Sequence, residues 1–325
     1  MRVGLVYTDT NKRNSLFDPH GNIQTNNTVA AIKSALENKN HEVIMIPADI
    51  DMLIKIMLIK IKEKNLDVIF NACTGIKNKK EQANVVAMLE LLDIPFVGSG
   101  LSSHIFGLHK EISKVLFRKM GIPTPNSQLF YSDDTKLDGN LRFPLIVKPE
   151  HEGSSLGIDN ESVVYNEKDL YEKIKEVIDK FNQPALVEEY VSGREFTIGI
   201  LGDKDIQVFE ILEVIYSKME VNFMTVSIKA KDAAGYECPA NIDKELELKL
   251  KEYAKRAFRA LELRDYARAD VRLDKYNNPY FIEINTLPGL EPGYSDFPKM
   301  AEKSGIKYDD LIEKLVLLAY NRGKK

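Results

Sequence analysis

The stretch Arg268-Ala269-Asp270, followed by Phe281-Ile282-Glu283-Ile284-Asn285, decides how this chain is read. Val271 and Leu273 alternate with polar residues in the first segment. Phe281, Ile282 and Ile284 make the second apolar, and Asn277-Asn278-Pro279 marks a turn between them. The pattern predicts a β-hairpin. Along a strand, Glu283 and Asn285 point to the same face. With Asp270 opposite them, Asp, Glu and Asn converge on one patch. Hard oxygen ligands without His or Cys suit Mg²⁺, which is usually shared between carboxylates and substrate phosphates. The hairpin therefore predicts a nucleotide–metal site. The competing reading is a surface hairpin with solvated acids.

Working outward, 325 residues are long enough for two or three domains, and an apolar fraction of 44% supplies a sizeable core. Lys plus Arg total 45 and Asp plus Glu 49, a formal charge of −4 that gives no hint of nucleic-acid binding. Cys73 and Cys238 are far apart and follow no metal spacing, which fits a reducing cytoplasm. The opening run Met1-Arg2-Val3-Gly4-Leu5-Val6-Tyr7 is too short for a signal peptide and looks like a first strand. The apolar-rich stretch Met52 to Ile61 is broken by Lys55 and Lys60 and cannot span a bilayer of about 30 Å.

The first hundred residues alternate between strand and helix patterns. Strands are expected at Arg2–Tyr7, Glu42–Ile46, Asp67–Phe70 and from Pro95. Helices are expected at Asn27–Glu37, Met52–Lys64 and Glu81–Leu92. Such alternation predicts a parallel sheet covered on both faces, hence an α/β chain. Gly98-Ser99-Gly100 lacks the third glycine of a dinucleotide loop, which counts against a nicotinamide oxidoreductase. Beyond it come a helix from Lys110 to Met120 and a strand Leu145–Pro149. A helix Lys168–Phe181 follows, then strands at Ala185–Tyr190, Phe196–Leu201 and Ile206–Val214, and helices at Leu246–Leu261 and Tyr308–Tyr320. Residues 216–240 read as a long loop. The expected partition is an N-terminal α/β domain over 1–98, a central subdomain over 99–184 and a C-terminal subdomain over 185–325.

Three further features carry chemistry. Lys148 ends a buried-looking strand and offers a point charge for a phosphate. Next comes Glu152-Gly153-Ser154-Ser155-Leu156-Gly157, whose glycines let backbone N–H groups approach phosphate oxygens. Glu188 and Glu195 flank a turn and suit an amine or a pair of ribose hydroxyls. Each alone is also compatible with an ordinary turn or solvated acids.

In order and spacing these features, with Asn285-Thr286-Leu287-Pro288-Gly289, closely resemble the ATP-grasp fold and, within it, the D-alanine–D-alanine ligase family. The resemblance implies two α+β subdomains that clasp ATP behind the N-terminal domain. It implies that Lys110 and Lys148 contact phosphates and that Ser155 belongs to the phosphate-covering loop. Glu188, with backbone groups of Val187 and Val191, would meet adenine, and Glu195 would take the ribose. Lys229 or Lys231 would reach the γ-phosphate. Asp270, Glu283 and Asn285 would hold two Mg²⁺ ions, with Mn²⁺ as an alternative. Arg268 and the Gly289 N–H would stabilise an oxyanion, Ser295 would hold the second substrate's carboxylate, and Ser154 would act beside them. The implied activity is ATP-dependent ligation of a carboxylate to an amine through an acyl phosphate, by a cytoplasmic homodimer in peptidoglycan synthesis. Its partners would be amino-acid or peptide substrates, without nucleic acid or membrane.

The substrate side departs from the family pattern. No glutamate occurs between Met1 and Glu37, where the family places the anchor of the first substrate's ammonium; Asp9, Asp18 and Asn27 are candidate replacements. Phe70-Asn71-Ala72-Cys73-Thr74-Gly75 lacks the family's histidine, and Glu291 and Tyr294 are unexpected in the closing segment. Two alternatives follow: a ligase for another amino acid or dipeptide, and a non-catalytic nucleotide-binding regulator.

Overall fold

The computed structural model describes residues 1–10, 19–49, 51–62, 66–76, 81–153, 155–216, 221–231 and 233–324. Strands β1 (Arg2–Thr8), β2 (Glu42–Ala48), β3 (Val68–Ala72) and β4 (Phe96–Val97) form an all-parallel sheet in the order β2-β1-β3-β4. Helices α1 (Pro19–Asn38), α2 (Met52–Lys62) and α3 (Gln82–Glu90) make the crossovers. Successive side chains of β1 serve opposite faces, as strand geometry requires. Val3 and Leu5 pack with Ile32 and Leu36 of α1, whereas Val6 packs with Met52, Val85 and Leu89. The expected parallel sheet covered on both faces is what forms.

Helices α4 (Leu101–Leu108) and α5 (Lys110–Lys119) lead to the second sheet. It contains β5 (Ser127–Phe130), β6 (Leu145–Pro149), β7 (Val163–Val164) and β8 (Ala185–Glu189), antiparallel in the order β5-β8-β6-β7. Helix α6 (Glu167–Phe181) covers it, starting at an Asn166 cap and ending at Asn182 in the left-handed region (φ 48°). The third sheet has β9 (Glu195–Gly202), β10 (Ile206–Val208), β11 (Leu212–Ile215), β12 (Gly235–Glu237), β13 (Asp265–Leu273) and β14 (Pro279–Asn285). Its order is β12-β11-β9-β13-β14, with β10 against β9. Helices α7 (Val226–Ala230), α8 (Lys244–Ala260), α9 (Asp296–Lys303) and α10 (Tyr308–Gly323) complete the chain.

The expected strand over 206–214 is broken into β10 and β11, because Phe209 and Ile211 turn into the core between them. Residues 216–240, read as a loop, contain α7 and β12; the Thr225 hydroxyl caps α7 by accepting the Ile228 N–H at 3.2 Å. Helix α1 begins at Pro19, ahead of the apolar residues that signalled it.

Helix α10 returns to the first sheet: Leu311, Leu315 and Ala319 share a core with Val3 and Phe70. Arg322 at its end forks onto fully buried Asp265 at 2.7 and 2.9 Å. Asp265 also accepts the Gly98 N–H at 2.7 Å, so one carboxylate ties β4, β13 and α10 together. Stripping the guanidinium from this carboxylate leaves a buried charge unpaired. Arg322→Ala is expected to lower the unfolding free energy by about 3 kcal/mol, read from urea denaturation; a loss within the extrapolation error would remove the assignment.

Candidate active site

Strands of the second and third sheets face each other across a cleft of about 430 Å³, closed at one end by the first sheet. Strand β13 lines it with alternate residues. Arg268, Asp270 and Arg272 face the cleft, while Ala267, Ala269 and Val271 enter the core behind. The hairpin register pairs Asp270 with Glu283 and Arg268 with Asn285, and a bulge follows at Val271. The sequence-predicted Asp–Glu–Asn patch is therefore assembled.

Asp270 is the most heavily bonded of the three. Arg268 donates to both its oxygens at 3.0 and 2.9 Å, Thr197 at 2.7 Å and Asn285 Nδ2 at 3.1 Å. Burial would lower the Arg268 pKa, but the charge and hydrogen bonds of Asp270 raise it, so the guanidinium stays cationic. The donor set of Asp270, Glu283 and Asn285 is oxygen throughout and fits Mg²⁺.

Lys148 and Glu188 lie opposite, on adjacent strands of the second sheet. Lys148 Nζ donates to Glu188 Oε1 at 2.5 Å, and Lys114 of α5 sits 2.8 Å from Oε2. Lys114 also donates to Thr124 at 3.0 Å and is wholly buried. Sequence reading missed it, since a lysine four residues after Lys110 on a helix looks solvated. Burial would raise the Glu188 pKa, yet the two lysines lower it to about 2. Burial also lowers the Lys114 pKa in spite of Glu188, so desolvation offsets part of the attraction. Lys110 donates to the carbonyls of Glu150 and Glu152 and lies 4.0 Å from Glu283, reaching from α5 toward the hairpin.

Arg272 is a second residue without a sequence signal. It donates to Glu195 at 2.6 Å, to the Val191 and Gly193 carbonyls at 2.6 and 2.9 Å, and to the Asn222 carbonyl at 2.7 Å. It thereby fixes the turn that carries Glu195 and ties it to the 221–225 segment. Burial raises the Glu195 pKa against the pull of Arg272.

Helix α7 lies across the opening. Its first N–H, on Val226, donates to the Ile158 carbonyl at 3.2 Å, and Tyr294 donates to the Lys229 carbonyl at 3.4 Å. Lys229 lines the cleft, whereas Lys231 is exposed and does not, because the two stand on different faces of the α7 end. Burial, then Arg268, lowers the Lys229 pKa.

Ser155 (φ 59°), Val191, Gly289 and Ser295 also line the cleft. A Cβ on Gly289 would come within 2.7 Å of Ser295 Oγ, so a larger residue there would push the Ser295 side chain aside. Strand alternation sends the Val187 side chain into the core of the second sheet at 0% exposure, leaving only its backbone for the role expected of it, and Glu189, Tyr190 and Val191 border the cleft. Ser154 lies outside the described residues.

The wall supplied by residues 1–98 consists of Thr25, Thr28, Ile32, Ala72, Thr74 and Gln82, with no acid among the described residues. Of the candidate anchors, Asn27 donates to Glu291 at 2.8 Å and does not border the cleft, nor does Asp9, and Asp18 lies outside the described residues. Cys73, in the segment that lacks the histidine, is buried beside the Thr8 hydroxyl at 3.4 Å.

A clasp of two antiparallel sheets, with lysines on one and an oxygen-ligand hairpin on the other, defines an ATP-grasp protein. Residues 116–317 match the family described as D-ala D-ala ligase C-terminus. The chain is 32% identical to a D-alanine–D-alanine ligase of Carboxydothermus hydrogenoformans, over 91% of this chain and 93% of that one. It superposes on the D-alanine–D-alanine ligase from Bacillus anthracis complexed with ATP with a TM-score of 0.78, at 24% identity, covering 100% of this chain and 99% of that one. It superposes on the VanG D-Ala:D-Ser ligase from Enterococcus faecalis with a TM-score of 0.76, at 20% identity, covering 98% and 99%. The chain belongs to the D-alanine–D-alanine ligase family and is an ATP-dependent ligase.

A carboxyl with a depressed pKa contributes stability above its unfolded pKa and loses it as pH falls through the folded one. For Glu188 that window runs from the ordinary 4.5 down to about 2. Glu188→Gln is expected to flatten the loss of unfolding free energy across this window in urea titrations; an unchanged slope would show that the lysine pair does not hold this carboxyl ionised.

Proposed function

We propose that this ligase joins the carboxylate of one D-alanine-type amino acid to the amine of a second, using MgATP and forming an acyl phosphate. The observation that carries this reading is the convergence of Arg268, Asp270, Glu283 and Asn285 on the cleft wall facing Lys148. Lys110 and Lys148 would take phosphate oxygens. Glu188, with the backbone of Glu189 to Val191, would meet the base, and Glu195, steadied by Arg272, the ribose hydroxyls. Lys229, which lines the cleft, would reach the γ-phosphate. Asp270, Glu283 and Asn285 would hold Mg²⁺, which when bound neutralises phosphoryl charge.

In this reading a substrate carboxylate oxygen attacks the γ-phosphorus, the bond to the β-phosphate oxygen breaks, and ADP is the leaving group. The second substrate's amine then attacks the acyl carbon. Arg268 and the Gly289 N–H stabilise the oxyanion, and the carbon–oxygen bond to phosphate breaks. Ser295, next to Gly289, would orient the second carboxylate. Helix α7 would keep water from the acyl phosphate. A cytoplasmic homodimer serving peptidoglycan synthesis accords with this chemistry.

The wall of residues 1–98, which carries no charged side chain among the described residues, favours a second reading, in which the first substrate is another amino acid or a dipeptide. Phosphate release with product mass, measured across D-alanine, D-serine, other D- and L-amino acids and dipeptides, separates the two. Turnover led by D-alanine in both positions supports the first reading, and turnover with a different donor supports the second. Absence of ADP formation with every substrate would overturn both. Glu283→Ala should slow ADP release at least about 100-fold, the loss of several kcal/mol of transition-state stabilisation, while the unfolding midpoint changes little.

A further inference from the structure

His109, Glu150 and His151 have no part in the chemistry above, yet the fold brings them together. His109 occupies the N-cap position of α5 and makes no side-chain hydrogen bond to that helix. Glu150 and His151 follow Pro149 at the end of β6. One ligand atom from each residue lies within 4.8 Å of the others. The two imidazoles meet edge to face, 4.3 Å between centroids and 75° between planes. His151 is positioned from behind by its own N–H, which donates to Gln183 at 2.6 Å.

Glu150 supplies the independent observation. It is 2% exposed, and its Oε1 accepts the Glu111 N–H of α5 at 3.1 Å. Its Oε2 is buried with no hydrogen-bond partner. Buried polar atoms are nearly always paired, so an orphan of this kind asks for a partner. Lys110 does not fill the role, because its ammonium donates to the main-chain carbonyls of Glu150 and Glu152. Both imidazoles lie within 4.8 Å of the Glu150 carboxylate.

Two imidazoles and a carboxylate are the donor set of three-ligand Zn²⁺ sites that keep a fourth position open. With metal–ligand bonds of about 2.1 Å, tetrahedral neighbours stand about 3.4 Å apart, so ligation needs side-chain shifts of about an ångström. The geometry points to a transition-metal site of the Zn²⁺ class, formed by His109, Glu150 Oε2 and His151. It is separate from the oxygen-only hairpin set, which selects Mg²⁺ by the same chemical reasoning. An ion here would clamp the start of α5 to the entry of the Gly153–Gly157 loop, joining two elements that border the nucleotide cleft.

The test is Co²⁺ titration of the full chain in excess Mg²⁺, followed by visible absorption and by Zn²⁺ displacement. One equivalent of Co²⁺ should give a tetrahedral-type spectrum that Zn²⁺ abolishes and Mg²⁺ does not. His109→Ala, His151→Ala and Glu150→Gln should each weaken binding at least about tenfold. His41→Ala, at the far end of the chain, should leave it unchanged. Glu150→Gln retains the oxygen that caps α5, so its fold is preserved and the metal result stays readable. Absence of the spectrum, or Co²⁺ affinity in the three site variants equal to that of the unaltered chain, would overturn the proposal.

Discussion

The charge arrangement along β13 is the constraint on which the rest of the molecule depends. Arg268, Asp270 and Arg272 occupy alternate positions on one face, and Ala267, Ala269 and Val271 fill the core on the other. A slip of one residue would exchange these sets, placing three charges in the interior. Neighbouring strands lock the register through side chains as well as the ladder. Thr197 of β9 and Asn285 of β14 both donate to Asp270, from opposite sides. The same contacts that hold the strand in place converge the polar groups of the cleft. Arg272 then extends the arrangement outward by organising the turn around Glu195 and the segment before α7.

Much of this was legible in the sequence where chemistry and local pattern coincide. Asn277 and Asn278 announced the β13–β14 turn, and the structure shows Asn277 in the left-handed region, with Asp274 accepting the Tyr276 and Asn278 N–H groups. Alternation of apolar residues announced the parallel first sheet. Lys114 and Arg272 were invisible because their meaning lies in distant partners: Glu188 is brought to Lys114 by the β5–β8–β6 pairing, not by proximity in the chain. Residues 216–240 lack a strong period because α7 is only a single short turn of helix, held by a Thr225 cap and by contacts across the cleft.

The three sheets do not follow the chain as three beads. Helix α10 carries the end of the sequence back to the first sheet, and Asp265, at the start of β13, collects Arg322 and the Gly98 N–H. The first sheet is thus anchored to the strand that carries Arg268, a few residues further on. Burial raises the Asp265 pKa despite Arg322, so at this junction desolvation outweighs the ion pair. Its value to the molecule is positional: it sets the wall of residues 1–98 at a fixed distance from the hairpin.

Helix α7 touches both rims of the cleft, Ile158 on one side and Tyr294 on the other. A cover hinged at one edge can lift while its far side stays in place. A cover latched at two edges opens only when both latches release. Two hydrogen bonds at the ends of a five-residue helix thus tie the two rims of the cleft to each other.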